Sequence, residues 1–404
     1  QPVILLGHFH MRMSQGVRDP LTITAPALSC ENGSDATIFL SADIIMITER
    51  MQQGIRDAVR CRAPDLDVAR IIVNATHTHT APMLDDDFYP PVPAGVMTGR
   101  AYVDFFIERA ARTIVEAWRK CLPGKVAWGL GHAVVGRNRR AVYLDDLSKR
   151  PGHHDYPGHC TTRSACMYGA TSDPMFSHIE GYEDHSVNLL YTWNERDELT
   201  GMIVNVACPS QETENTNFIS ADFWHETRLA IRDRLGAGVF VLPQCSAAGD
   251  QSPHEIWYQG AEQRMRNLRG LDNRSEIARR ITQAVADVLP LAQKERHDSL
   301  VLRHVVRNVQ LPWRKISAAE AAQIRKGAAE LEAQPASANP DAAKRMIEDS
   351  TRATSLKRCL ITLQRYERQQ KEPTLAEEIH AVRIGDVAVS TMPFEIFLDY
   401  GVRI

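Results

Sequence analysis

The sequence predicts an α/β fold in which a mixed β-sheet core carries flanking helices. Three observations point there. Residues 36–75 read as strand, helix, strand, and the second half of the chain repeats the alternation. A hydrophobic content of 44% over 404 residues is enough to bury a sizeable core, in one large domain or two intimately packed ones.

The elements follow in order. Residues 36–43 (ATIFLSAD) form a β-rich apolar run, residues 49–61 have helical spacing, and residues 69–75 give a second apolar run. A right-handed crossover makes these two strands parallel and gathers residues at their C-terminal ends on one sheet edge, where open α/β folds place their sites. Asp43 and His77 fall near such ends. A long amphipathic helix is expected over residues 100–121, with strands over 126–133, 187–193 and 202–207. Residues 148–175, rich in Pro, Gly, His and Ser, read as a long ordered loop, which in a compact domain is more often functional than idle. A helix over 222–235, a strand over 238–243 and a helix over 275–291 come next. Residues 317–371 favour peripheral helices, interrupted by the prolines at 335 and 340. A hairpin over 381–391, turning at Gly385-Asp386, leads through Met392-Pro393-Phe394-Glu395 into a final helix.

A formal net charge of −3 argues against nucleic acid or an anionic membrane as partner, since either needs a concentrated basic face. No apolar run approaches the roughly 18 residues of a membrane span. The chain opens directly into Val3-Ile4-Leu5-Leu6, with neither an initiator Met nor the regions of a signal peptide, which is compatible with a removed leader. Eight cysteines lack the Cys-x-x-Cys spacing of a structural zinc site; Cys160 and Cys166 are close enough to staple a loop, or are ordinary thiols.

The sharpest local signal is Asn74-Ala75-Thr76-His77-Thr78-His79-Thr80 at the end of a strand. In an extended segment residues two apart point the same way, so His77 and His79 can converge on one ion or one substrate atom. Neutral imidazole is a good zinc donor, although two hydrogen-bonded loop histidines would look the same. Gly249-Asp250-Gln251-Ser252-Pro253-His254 reads as a tight turn able to present a hydroxyl and backbone N–H groups, or as an Asx-type turn with no such role. His254 is the one local base for Ser252, and the spacing alone does not assign it to a triad. Glu395 is a lone carboxylate between Phe394 and Ile396, whose burial would call for a cation or metal; a helix N-terminus would also suit it.

Five segments in order, at residues 74–79, Asn138-Arg139, 215–222, 249–253 and 393–397, resemble the neutral, non-lysosomal ceramidase family. The resemblance implies a zinc-dependent hydrolase of an amide (N-acyl) bond, with one catalytic domain over residues 1–404 and no C-terminal immunoglobulin-like domain. It implies His77 and Glu395 as zinc ligands, His79 as the group that binds or deprotonates beside them, Arg139 on the scissile carbonyl and Ser252 as the family's active-site serine. The expected partner is a small-molecule or lipid N-acyl substrate, and the expected location is secreted or periplasmic.

The chain departs from that family in three places. A zinc-binding His segment is replaced by Ala207-Cys208-Pro209-Ser210-Gln211, where Cys208, or more weakly Gln211, is the substitute donor. The glycine-rich run after the His pair is Ala81-Pro82-Met83-Leu84, which changes the expected cleft wall. The family's tyrosine ligand beyond the late Glu has no counterpart. These departures keep two alternatives open: an amidase or deacetylase acting on an amino sugar or other small N-acyl compound, and a binding protein on a degenerate scaffold. His153, His154, His159, His178 and His185 crowd the long loop and its flank, where any of them would be a surface histidine or a missing ligand.

Overall fold

Strand β1 (Ala36–Ala42) is buried along its whole length because both of its faces are covered. In the computed structural model, which describes residues 1–30, 33, 35–150 and 163–404, Ile38, Leu40 and Ala42 face helices α1 (Glu49–Arg62) and β2 (Ile71–Ala75) runs beside β1. The two strands are parallel, Ala42 opposite Ala75, with α1 as the crossover, so the expected βαβ unit is present. Thr48 caps α1 by accepting from the Met51 N–H at 3.3 Å. Helix α2 (Gly99–Arg119) covers the same sheet face through Val103, Phe106, Ala110 and Ile114.

A second sheet has the order β6-β5-β4-β3, from β3 (Gly124–His132), β4 (Ser186–Asn194), β5 (Leu199–Val206) and β6 (Phe240–Cys245). β5 and β6 are parallel, joined through α3 (Phe223–Leu235), and the other pairs are antiparallel. Leu189, Tyr191, Val204 and Val241 point toward α3 and toward α5 (Asn273–Ala292), which follows a short helix α4 (Gln259–Arg269). Their neighbours Leu190, Ile203 and Leu242 point the other way and meet Phe39 and Ile72 of the first sheet. Period-two alternation therefore builds the layering: two sheets face to face, with helices on each outer side.

The expected hairpin over 381–391 is present, Ala381 opposite Ser390 across the Gly385-Asp386 turn, and a strand not expected from the sequence joins its other edge. Strand β7 (Leu302–Pro312) pairs along its whole length with β8 (Thr374–Ile384), and β9 (Val387–Ser390) follows the Gly385 turn, while helices α6 (Ala318–Ala333) and α7 (Ala342–Lys371) are inserted between the paired strands. α7 lies on the N-terminal segment: Ser350 accepts from the Met11 N–H at 2.9 Å, and Arg358 stands 4.0 Å over the Phe9 ring. Helix α8 (Leu398–Arg403) ends the chain. Of the expected loop over 148–175, residues 151–162 lie outside the described residues, and Ala165–Met167 is a strand paired with Arg140–Tyr143. Cys160, His153, His154 and His159 lie outside the described residues. No described helix is long and apolar enough to cross a membrane.

Candidate active site

β2 stops at Ala75, and the next residues alternate in role. Thr76, Thr78 and Thr80 are fully buried and anchored: Thr76 to Asp43, and Thr78 and Thr80 both to the Ser220 carbonyl at 3.0 Å. That leaves His77 and His79 on the opposite side. His77 has φ 63°, an uncommon left-handed conformation for a side-chain-bearing residue, so the pair converges through a kink as well as through strand alternation. The two Nε2 atoms are 3.2 Å apart.

Each imidazole is held by its other nitrogen. His77 Nδ1 is hydrogen-bonded to the Ile45 carbonyl oxygen at 2.8 Å, and His79 Nδ1 stands 2.8 Å from Glu214 Oε2 as an ion-pair contact without hydrogen-bond geometry. An acceptor beside Nδ1 favours a proton there and leaves Nε2 as the lone-pair nitrogen. Burial, then the neighbouring His79, pushes His77 down to about 3, so it is neutral at pH 7. Gly7 packs on the far side of His79; its φ of +131° and a Cβ that would come within 2.5 Å of the His79 Cβ both require glycine.

Arg139 enters from the break between the short strands Arg137–Asn138 and Arg140–Tyr143. It is buried, and its Nη2 donates to the Gly249 carbonyl at 2.9 Å and to Glu395 Oε1 at 3.2 Å, while Nη1 donates to the Tyr168 hydroxyl at 2.9 Å. Glu395 Oε1 is 3.9 Å from His77 Nε2. The Glu395 side chain is 56% exposed, so the desolvation argument for it does not apply; its place is set by the Gly249 turn, whose N–H donates to the Ile396 carbonyl at 2.8 Å. Asp250 completes that junction by accepting from the Leu398 N–H at 2.8 Å.

The structure seats Gln211, rather than Cys208, beside the histidines: Gln211 Nε2 is 2.9 Å from His79 Nε2. Cys208 packs in the hydrophobic cluster with Val206 and Phe223, its Sγ 3.4 Å from its own Pro209 carbonyl, and burial raises its thiol well above the ordinary range. Ser252 is fully buried, and its Oγ accepts from the His254 backbone N–H at 3.2 Å. The His254 ring turns away from that hydroxyl, with Nε2 2.8 Å from Glu214 Oε1. Asp43 is a structural anchor, paired twice with Arg228 at 2.8 and 3.0 Å. Ala81, Met83 and Leu84 are core residues, so the departure there alters packing. His178 and His185 contact Ser177 and Glu183, respectively.

Sequence reasoning missed Tyr168 and Glu214. Tyr168 has φ 57°, and its hydroxyl oxygen lies 3.3 Å from both Gln211 Oε1 and Ser252 Oγ. Glu214 is pushed up by burial, but His254 and His79 outweigh that and hold its carboxyl well below the ordinary range. One signal was available for Glu214, a carboxylate within the polar run that includes Gln211.

Among the described residues no three His, Cys, Asp or Glu side chains already converge in metal-binding geometry. The donor set nonetheless fits zinc. His77 Nε2, with Glu395 Oε1 3.9 Å away, suits zinc in donor type, and His79 Nε2, 3.2 Å from His77 Nε2, would stand beside such an ion as a proton acceptor.

Layers, strand order and site edge together define a chain with the neutral ceramidase fold. It superposes on the crystal structure of neutral ceramidase from Pseudomonas aeruginosa with a TM-score of 0.64, over 99% of this chain and 61% of that one, at 16% identity. A ceramidase complexed with C2 gives 0.61, over 100% and 62%, at 15% identity. The chain thus spans less than two thirds of the length of these solved ceramidases. No protein-family model and no curated protein matches the sequence.

Proposed function

We propose that this chain is a zinc-dependent hydrolase of N-acyl (amide) bonds, with residues 1–404 forming one ceramidase-like catalytic domain that works outside the cytoplasm. The observation that carries the reading is the convergence of His77, His79, Arg139 and Glu395 at the end of β2. His77 and Glu395 would hold the ion, with His79 at its edge. Zinc at such a site supplies Lewis acidity and makes water a competent nucleophile near neutral pH.

The chain's own residues do the rest. His79, whose Nε2 faces His77 and is reached by the Gln211 amide, accepts a proton from the attacking water and returns it to the leaving amine. Arg139, fixed by Gly249, Tyr168 and Glu395, donates to the oxygen of the scissile carbonyl as charge develops there. Buried Ser252 holds Tyr168 and the 252–254 turn, since the His254 ring faces Glu214.

The test is release of free carboxylate from a panel that includes a ceramide, an N-acyl amino sugar and a small N-acyl amine. Hydrolysis of at least one, abolished in His77→Ala, is the expected result, and the preferred member sets the substrate class. Tight binding of panel members without turnover in zinc-loaded protein would instead establish a binding protein.

A further inference from the structure

Beyond the groups already assigned, one partly buried carboxylate touches two imidazoles at once. We propose that Glu214 and His254 are positioning residues for His79: the Glu214 carboxylate, braced from behind by His254, fixes the His79 ring with its proton on Nδ1 and its Nε2 lone pair turned toward His77. The assignment rests on the hydrolase reading for its purpose and on the geometry for its substance.

Glu214 turns one oxygen to each histidine: Oε1 is hydrogen-bonded to His254 Nε2 at 2.8 Å, and Oε2 stands 2.8 Å from His79 Nδ1 as an ion-pair contact without hydrogen-bond geometry. Its side chain is 15% exposed, so its charge is directed at these two rings and little at solvent. The main chains of the two partners are tied as well. Arg12, itself buried, donates through Nη2 to the His79 carbonyl at 2.6 Å and through Nη1 to the Glu214 carbonyl at 2.5 Å. Gly7 closes the other side of the His79 ring, which leaves that ring little freedom to rotate.

His254 is fixed in turn: its backbone N–H donates to Ser252 Oγ at 3.2 Å, and its ring lies edge-on to Tyr168 with centroids 5.9 Å apart. Its second nitrogen, Nδ1, is 4.0 Å from Glu212 Oε2, an ion-pair distance beyond hydrogen-bonding reach. A carboxylate behind an imidazole sets its tautomer and aim, and loss of such a group costs roughly 10–100-fold in function.

The experiment uses the full chain labelled with 15N-histidine, the His79 signals being identified by their loss in His79→Gln. The expected spectrum shows neutral His79 protonated on Nδ1, moving toward the Nε2-protonated form in Glu214→Gln. With an N-acyl substrate, Glu214→Gln lowers kcat roughly 10–100-fold and leaves KM within about threefold, and His254→Gln gives a smaller loss that the cationic His254→Lys recovers. Nε2-protonated His79 in the unsubstituted protein, or a His79 spectrum unmoved by Glu214→Gln, overturns the proposal. Unchanged kcat and spectrum in His254→Gln overturn the bracing role. Absence of hydrolysis alongside the expected tautomer and its shift would sink the hydrolase reading and leave the positioning intact.

Discussion

Gly249 lies against the backbone of Glu395: a Cβ at position 249 would stand 2.4 Å from the Glu395 carbonyl oxygen. The obstacle is main chain, which cannot swing aside as a side-chain tip would. Gly249→Ala should therefore cost about 1–3 kcal/mol of stability and move Glu395 off the site. Thermal unfolding together with zinc affinity checks this, and normal values for both would mean that the junction is looser than described.

Arg139 meets the site with a fixed guanidinium. Arg139→Ala should lower kcat roughly 10²–10³-fold while the protein keeps its fold and its ion. Steady-state kinetics beside circular dichroism separates this from a structural role, which would appear as unfolding.

Ser252 has no base aimed at its hydroxyl, because the His254 ring is turned to Glu214. Ser252→Ala should keep activity within about tenfold, in contrast to the several orders of magnitude lost with a serine nucleophile. Accumulation of an acyl-enzyme in mass spectra would refute the water-attack mechanism.

His304 and His380 form a buried pair, Nε2 to Nδ1 at 2.9 Å, joining β7 to β8 above the start of β1. Burial, then His380, holds His304 down to about 4, and burial also lowers His380. The unfolded chain therefore binds more protons than the folded one between about pH 6.5 and 4, and stability falls as pH drops through that window. The loss from His304 should reach roughly 3 kcal/mol, fully developed only below about pH 4. Urea midpoints at pH 7.5 and 5 should differ by less in His304→Gln; an identical pH dependence would show that another group dominates.

Much of the fold was legible because the apolar runs are short, clearly bounded and set apart by helical spacing, as with residues 36–43 and 49–61. The β7–β8 pairing was not. β7 alternates Leu302 and His304 with exposed Arg303 and Val305, and its partner lies more than sixty residues on, so no local pattern marks it. At the site, His77, His79, Arg139 and Glu395 were legible from the order of five motifs. Tyr168 and Glu214 were not, because their contacts arise only when the segments around residues 12, 79, 168, 214 and 254 close on one another. Cys208 illustrates the converse. Its sulfur chemistry suggested a ligand, whereas its position two residues beyond β5 sends the side chain into the hydrophobic cluster.

The hydrolase reading requires a metal site at His77 and Glu395, with His79 beside the ion. The most direct test is elemental analysis of chelator-free protein after zinc is offered and the excess removed, for the unsubstituted chain and for His77→Ala. About one zinc per chain, lost in His77→Ala and kept in His79→Ala with reduced turnover, is the expected result. No bound zinc in the unsubstituted chain, or full retention in His77→Ala, would contradict it.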